Sequence, residues 1–123
     1  MTQTAHAHPE DAPRPTVNTV TLVGRVSAAP EVRAMPSGDE LVTFRVIVPR
    51  SPAGRAGGGE ERTRVDVVDV ACWSARTRRS ARRLEADRVV QVEGALRRRF
   101  FRSGGGAASR YEVEARSISR VRP

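Results

Sequence analysis

The stretch ACWSARTRRSARRLEADRVVQVEGALRRRFF, from Ala71 to Phe101, contains the transition that decides the fold. Its middle segment, residues 74–87, has good helix formers and neither glycine nor proline, and Ser74 is a suitable N-cap. After it the pattern changes to alternation of apolar and polar residues, which is typical of a half-buried strand and predicts one from about Arg88 to Phe101. The residues predicted to point inward are Val90, Val92, Gly94 and Leu96.

Three strands are predicted before this helix. The first follows Val17, the second covers residues 42–48, and the third runs from about residue 64 to 73. The tetrapeptide Pro36-Ser37-Gly38-Asp39 is a turn signal between the first two. A glycine-rich segment, residues 49–63, separates the second from the third and is too polar to form a core.

The helix is followed by two strands that form a hairpin. Glycines at 104–106 mark the turn, and the last strand runs from about Arg110 to Val121, with Tyr111 and Val113 inward. Three strands, one helix and two strands predict an all-β fold: a five-stranded OB-fold barrel with one helix between strands 3 and 4. Residues 1–16 are expected to be a disordered tail and residues 17–123 the barrel domain.

Charge indicates the class of partner. The chain has 123 residues and a formal net charge of +8, which favours a polyanionic ligand. Every basic side chain is arginine, which a GC-rich genome would explain and which also suits phosphate contacts. The single cysteine, Cys72, permits no internal disulfide and fits a reducing cytoplasm, and no apolar run approaches the ~20 residues that cross a membrane.

No catalytic or metal-binding pattern is present in the sequence. Neither paired carboxylates nor a nucleophile with a neighbouring base are found, so we expect no enzyme activity, no cofactor and no metal. His6 and His8 could in principle bind a metal, but two isolated histidines in a tail are more often solvated.

Three segments resemble the bacterial single-stranded DNA-binding protein family. They are residues 18–48, with N-x-V-x-L-x-G and P-E-x-R, residues 71–101, with V-x-V-E-G-x-L-R, and residues 111–118, YEVEARSI. Together, and in this order, they cover Asn18 to Val121. The resemblance implies an OB fold, usually a homotetramer, that wraps single-stranded DNA in replication, repair and recombination and has no catalytic activity.

The same resemblance bears on partners and location. Full-length members end in a flexible linker and an acidic tip that recruits other proteins, whereas this chain ends at Arg120-Val121-Arg122-Pro123. We therefore expect a short paralogue without acidic-tail recruitment of repair enzymes, located in the cytoplasm with the nucleoid.

Single-strand binding without base readout uses aromatic faces for stacking and a cationic track for the backbone. Of four aromatic platforms that the resemblance implies, the third falls on Trp73 and the fourth on Phe101. The other two fall near Pro52 and on Val67, where this chain has no ring. Asp69 shares a strand face with Trp73, and an acid there is unfavourable unless it is paired.

Arginines are expected to replace some of the missing stacking. Four lie on the strand face opposite the core, and two lie at the glycine-rich segment; they are Arg25, Arg45, Arg97, Arg99, Arg50 and Arg55. If about four phosphates are neutralised, log affinity should fall against log salt with a slope of roughly −3.

Other interpretations stay open from the sequence. Trp73 could be a core residue, and Phe100 rather than Phe101 could face the ligand. The domain could also be a protein-interaction module that has lost DNA binding, or an RNA-binding or primosomal OB protein. Mixed-oligomer mass spectrometry and a comparison of oligo-rU with oligo-dT would separate these functions.

Overall fold

A computed structural model describes residues 14–51 and 64–122. Over these ranges the chain forms six strands and one helix: β1 (Val20–Val26), β2 (Glu31–Ala34), β3 (Glu40–Pro49), β4 (Val65–Cys72), α1 (Ala75–Arg82), β5 (Val89–Ser103) and β6 (Gly106–Arg120). The sheet order is β1-β5-β6-β4-β3-β2, and additional pairing between β1 and β3 closes the barrel. β4 and β6 pair in parallel, and the other pairs are antiparallel. The predicted OB-type barrel with one helix is confirmed.

The short strand β2 was not predicted. It pairs with the start of β3, and the turn between them is the predicted one, with Gly38 at a φ of 96°. All four β2 residues are exposed, so only backbone pairing defines this strand. The sequence therefore lacks the alternation of apolar and polar residues that would predict it. This edge strand is the difference between the five strands expected and the six observed.

Helix α1 begins where predicted and ends earlier. The Ser74 hydroxyl accepts a hydrogen bond from the Thr77 amide at 3.1 Å, which caps the first turn. The helix ends at Arg82 instead of continuing to Asp87, whose φ of 68° is left-handed and whose amide donates to the Val26 carbonyl at 2.7 Å. The chain is therefore turned back into the barrel five residues after the helix.

The core consists mainly of β-branched residues from every long strand, together with Phe44, Cys72, Ala81 and Leu84. Burial raises the pKa of the Cys72 thiol to about 12, so the thiol is protonated at neutral pH. At Gly94 the neighbouring strand comes so close that a Cβ would collide with the carbonyl oxygen of Glu114. A glycine is therefore needed there to avoid crowding in the barrel wall.

The hairpin of β5 and β6 extends past the barrel. Its outer segment, residues 97–103 of β5 and 106–112 of β6, pairs only within itself and is called the arm here. Leu96 and Tyr111 were predicted to point into the core, and the burial that this implies is not observed. Their side chains are 44% and 57% exposed. They have the core-side parity of their strands, but they lie at or beyond the level where other elements cover that side.

Along the ranges that the structure describes, no helix is long and apolar enough to cross a membrane.

Candidate nucleic-acid interface

Trp73 follows β4 directly and is partly exposed on the outer side of the sheet. The Arg99 guanidinium of the arm lies over its indole, 4.9 Å from the ring centroid. Nε of Arg99 also donates to Oε2 of Glu112 at 2.9 Å, and Glu112 is only 5% exposed. A buried carboxylate therefore positions a cation over the single tryptophan of the chain.

Phe101 lies on the same side of the arm, with the guanidinium of Arg110 5.5 Å from its ring centroid. Phe100 points to the opposite side, where Arg98 lies 5.1 Å from its ring and 5.5 Å from that of Tyr111. Strand alternation thus separates the two phenylalanines. Phe101, at 42% exposure, shares a surface with Trp73, and the more exposed Phe100 does not.

The outer surface of the barrel and the arm that carries both rings is called the polar face here. Its members are Arg45, Asp69, Trp73, Arg97, Arg99, Phe101, Arg110, Glu112 and Glu114. Three arginine–carboxylate pairs cross it, namely Arg45–Asp69 at 2.9 Å, Arg97–Glu114 at 2.8 Å and Arg99–Glu112 at 2.9 Å. Asp69, the acid that was expected to be unfavourable on this side, is paired, so its charge is balanced.

The remaining predicted arginines lie away from the two rings. Arg50 directly follows β3 and is five residues from Arg45, about 17 Å at the usual rise per residue of a strand. It pairs with Asp66 at 2.8 Å, and this hydrogen bond and charge attraction raise the pKa of Arg50. Arg25 lies on the seam between β1 and β3 and pairs with Asp87 at 3.2 Å.

Three further predicted positions carry no aromatic or arginine side chain that the structure describes. Arg55 and Pro52 lie outside the described residues. Val67, at the position of another implied platform, is a 55% exposed valine on β4. The structure therefore brings together Trp73, Phe101, Arg97, Arg99 and Arg45, and it leaves Arg25 and Arg50 at the periphery.

The sequence predictions missed Arg110, Glu112 and Glu114 as site residues. All three are on β6, and Glu112 and Glu114 belong to the segment YEVEARSI, whose alternation placed them opposite Val113. That alternation was the available signal. It gave the side of the strand, but it did not show that the carboxylates would meet arginines of β5.

A cavity of about 230 Å³ opens on the polar face. Its lining includes Phe44 and Val70 of the core and the charged residues Asp69, Arg110 and Glu112. It therefore adjoins both arginine–aromatic stacks, because Arg110 lies over Phe101 and Glu112 holds Arg99 over Trp73.

The model of the single-strand binding protein family matches residues 17–121. The chain belongs to that family. Single-stranded DNA-binding protein A of Bacillus subtilis (strain 168) is 29% identical over 108 residues, which are 87% of this chain and 60% of that protein. The single-stranded DNA-binding protein of Treponema pallidum (strain Nichols) is 28% identical over 102 residues, 83% of this chain and 56% of that protein. The chain thus spans somewhat less than two thirds of the length of these family members.

A solved structure supports the fold of this family member independently. The structure described as "Plasmodium falciparum SSB complex with ssDNA" matches with a TM-score of 0.73 at 17% identity. The match covers 89% of this chain and 99% of the other. The expected OB fold and the expected family are both confirmed.

Proposed function

We propose that this chain binds single-stranded DNA, largely independently of base sequence, through the polar face. The observation that carries the proposal is the pair of stacks on one surface, Trp73 with Arg99 and Phe101 with Arg110. Aromatic faces and a cationic track are the two elements that single-strand sites combine. Membership of the family, the names of the relatives and the net charge of +8 support the same function.

Binding would exchange carboxylate partners for phosphate partners at the arginines. An exposed ion pair contributes only about 0.2–1 kcal/mol, so Arg45 and Arg97 can turn to a phosphate at little cost. Arg99 is different, because its partner Glu112 is buried and would be left without a donor if the arginine moved away. We therefore expect Arg99 to stay over Trp73 and to offer its outer face to a base.

The wider biological predictions belong to the same proposal. They are a homotetramer, action in replication, repair or recombination, a cytoplasmic and nucleoid-associated location, and no enzymatic activity or cofactor. The family resemblance supports them, and each remains a prediction. The same holds for the domain boundary at residue 17.

The test is a titration with oligothymidine that follows the emission of Trp73, the only tryptophan. We expect a saturable change in emission and a log affinity that falls against log salt with a slope of roughly −3. A protein that shows neither an emission change nor a salt-sensitive mobility shift would contradict the proposal.

One observation favours a second function, an OB module that pairs with another protein. All five predicted arginines within the described ranges are held by carboxylates, which lowers the positive potential of the site. Mass spectrometry of mixtures with a full-length family member distinguishes the two functions. Mixed oligomers without oligothymidine binding would favour the second.

A further inference from the structure

The cavity on the polar face has the size of a site for one ring system. At about 230 Å³ it is smaller than the roughly 300–1,000 Å³ of pockets that hold drug-sized ligands. Phe44 and Val70 contribute to its lining, which is mainly polar and includes Asp69, Arg110 and Glu112. A few apolar residues among converging polar groups suit a flat heterocycle with hydrogen-bonding edges.

The cavity also lies on the path of the proposed strand. Two of its lining residues, Glu112 and Arg110, belong to the Trp73 and Phe101 stacks respectively. A strand whose bases stack on both of these platforms would pass the mouth of the cavity. One base can then turn inward while its neighbours stay stacked.

The carboxylates in the wall have capacity for further donors. Among the hydrogen bonds of the described residues, Arg99 engages Oε2 of Glu112, and Arg45 engages Oδ1 of Asp69. The second oxygen of each carboxylate receives no donor from these residues. Glu112 is 5% exposed, and a buried acceptor without a donor is unfavourable, so a ligand that brings N–H groups gains most here.

We propose that this cavity is a nucleobase site that prefers guanine, an inference that rests on the proposed single-strand binding. Guanine carries two neighbouring donor groups, N1–H and N2–H₂, for the unoccupied carboxylate oxygens, and its O6 and N7 accept from an arginine such as Arg110. Bases in single strands are read on these edges. Thymine offers only one N–H, so a carboxylate oxygen of the cavity would stay without a donor. Thymine is therefore expected to bind there more weakly than guanine.

The experiment measures competition between an unlabelled oligomer and a labelled oligothymidine. The competitors are oligothymidine itself and the same oligomer with one central adenine, cytosine or guanine. We expect the guanine oligomer to bind at least about fivefold more tightly than oligothymidine, because one bidentate base contact discriminates by at least that factor.

Two variants test the assignment, Asp69→Asn and Glu112→Gln. In each variant the guanine-to-thymine affinity ratio should fall to about one, whatever the change in overall affinity, because both residues also hold arginines of the polar face. The ratio cancels the general gain in affinity from removing a negative charge. Glu85→Gln is the matched control, because Glu85 is a 76% exposed acid whose ion pair is with Arg88, and its ratio should equal that of the wild type.

The outcomes separate the two levels of the proposal. If oligothymidine binds and all four oligomers compete equally, the guanine site is wrong while single-strand binding stands. If no oligomer binds, both are wrong. If Glu112→Gln unfolds, Asp69→Asn decides alone, since Asp69 is partly exposed on a strand and has an exposed partner.

Discussion

The inner segment of the β5–β6 hairpin, residues 89–96 and 113–120, and its outer segment, the arm, have the same strand geometry and opposite surroundings. In the inner segment, Val90 and Val92 are fully buried, because β1 and the rest of the barrel cover them. In the arm the same strands continue, but no third strand pairs with them, and Phe100 and Tyr111 are 70% and 57% exposed.

The contrast shows how one hairpin can provide both the core and the candidate site. A strand has two faces, and the inner segment of the hairpin packs its large apolar side chains on a single face. In the arm each face has exposed residues and carries an arginine–aromatic stack, Arg110 on Phe101 on one side and Arg98 on Phe100 on the other. Alternation alone predicts the two sides, whereas the presence or absence of a covering layer determines what each side does.

The largest expected effect is on the inner segment. Gly94→Ala places a methyl group against the carbonyl oxygen of Glu114, so we expect the free energy of unfolding to fall by about 3 kcal/mol or the barrel not to form. Gly105→Ala at the tip of the arm is the matched control: a Cβ there has no neighbour within 4 Å, and the change should stay within about 0.5 kcal/mol. Urea denaturation followed by circular dichroism measures both. Equal stability of the two variants would mean that the inner segment is not packed as described.

The next effect compares the two sides of the arm. Phe101→Ala should weaken oligothymidine binding by about 1–3 kcal/mol, the contribution of one stacked base. Phe100→Ala removes the same ring from the opposite side and should change the affinity by less than about twofold. Fluorescence anisotropy with a labelled oligomer measures both. An equal loss of affinity in the two variants would contradict the assignment of DNA binding to the Phe101 side of the arm.

A smaller effect concerns the arginine–carboxylate pairs of the polar face. Glu114→Gln releases Arg97, and we expect the affinity for oligothymidine to rise by about two- to fivefold, in line with the strength of an exposed ion pair. The salt slope should steepen by about 0.7 if one more phosphate is contacted. The control is Glu93→Gln in the inner segment, which removes the same charge from a carboxylate bonded to Gln91 and Ser117. A similar rise in both variants would indicate a general charge effect only.

The smallest effect is on the pH dependence of stability. The pKa of Cys72 is raised to about 12 in the folded state, against about 9 when unfolded, so its contribution to stability is complete well below pH 9 and is lost as the pH rises through 9 towards 12. Between pH 7 and 9 the loss is about 0.4 kcal/mol. Denaturation of the wild type and of Cys72→Ala at both pH values measures it, and the variant should lack this contribution to the slope.

A cysteine placed on the arm gives the matching comparison. Ala107 is exposed, so Ala107→Cys in the Cys72→Ala background should react at once with a maleimide at neutral pH and add no slope. Native Cys72 should react only as the barrel opens. Rapid labelling of native Cys72 would contradict its placement in the core.

Much of the fold was predictable from local patterns. The helix start at Ser74, the turn at Gly38 and the inward valines of β5 follow from capping, turn chemistry and period-two alternation. The same parity put Trp73 and Arg99 on one side. The strand β2 could not be found this way, because its four exposed residues carry no burial signal.

Local sequence was sufficient for the chain order of the helix and the five longer strands, and for the side of each strand on which a residue lies. Which residues on the core side of a strand are buried depends on the three-dimensional arrangement, because the elements that cover them are distant in the chain. That arrangement leaves Leu96 and Tyr111 in solvent, pairs Arg99 with Glu112 across two strands, and opens a cavity between Asp69 and Arg110. These contacts join residues far apart in sequence, and no local pattern specifies them.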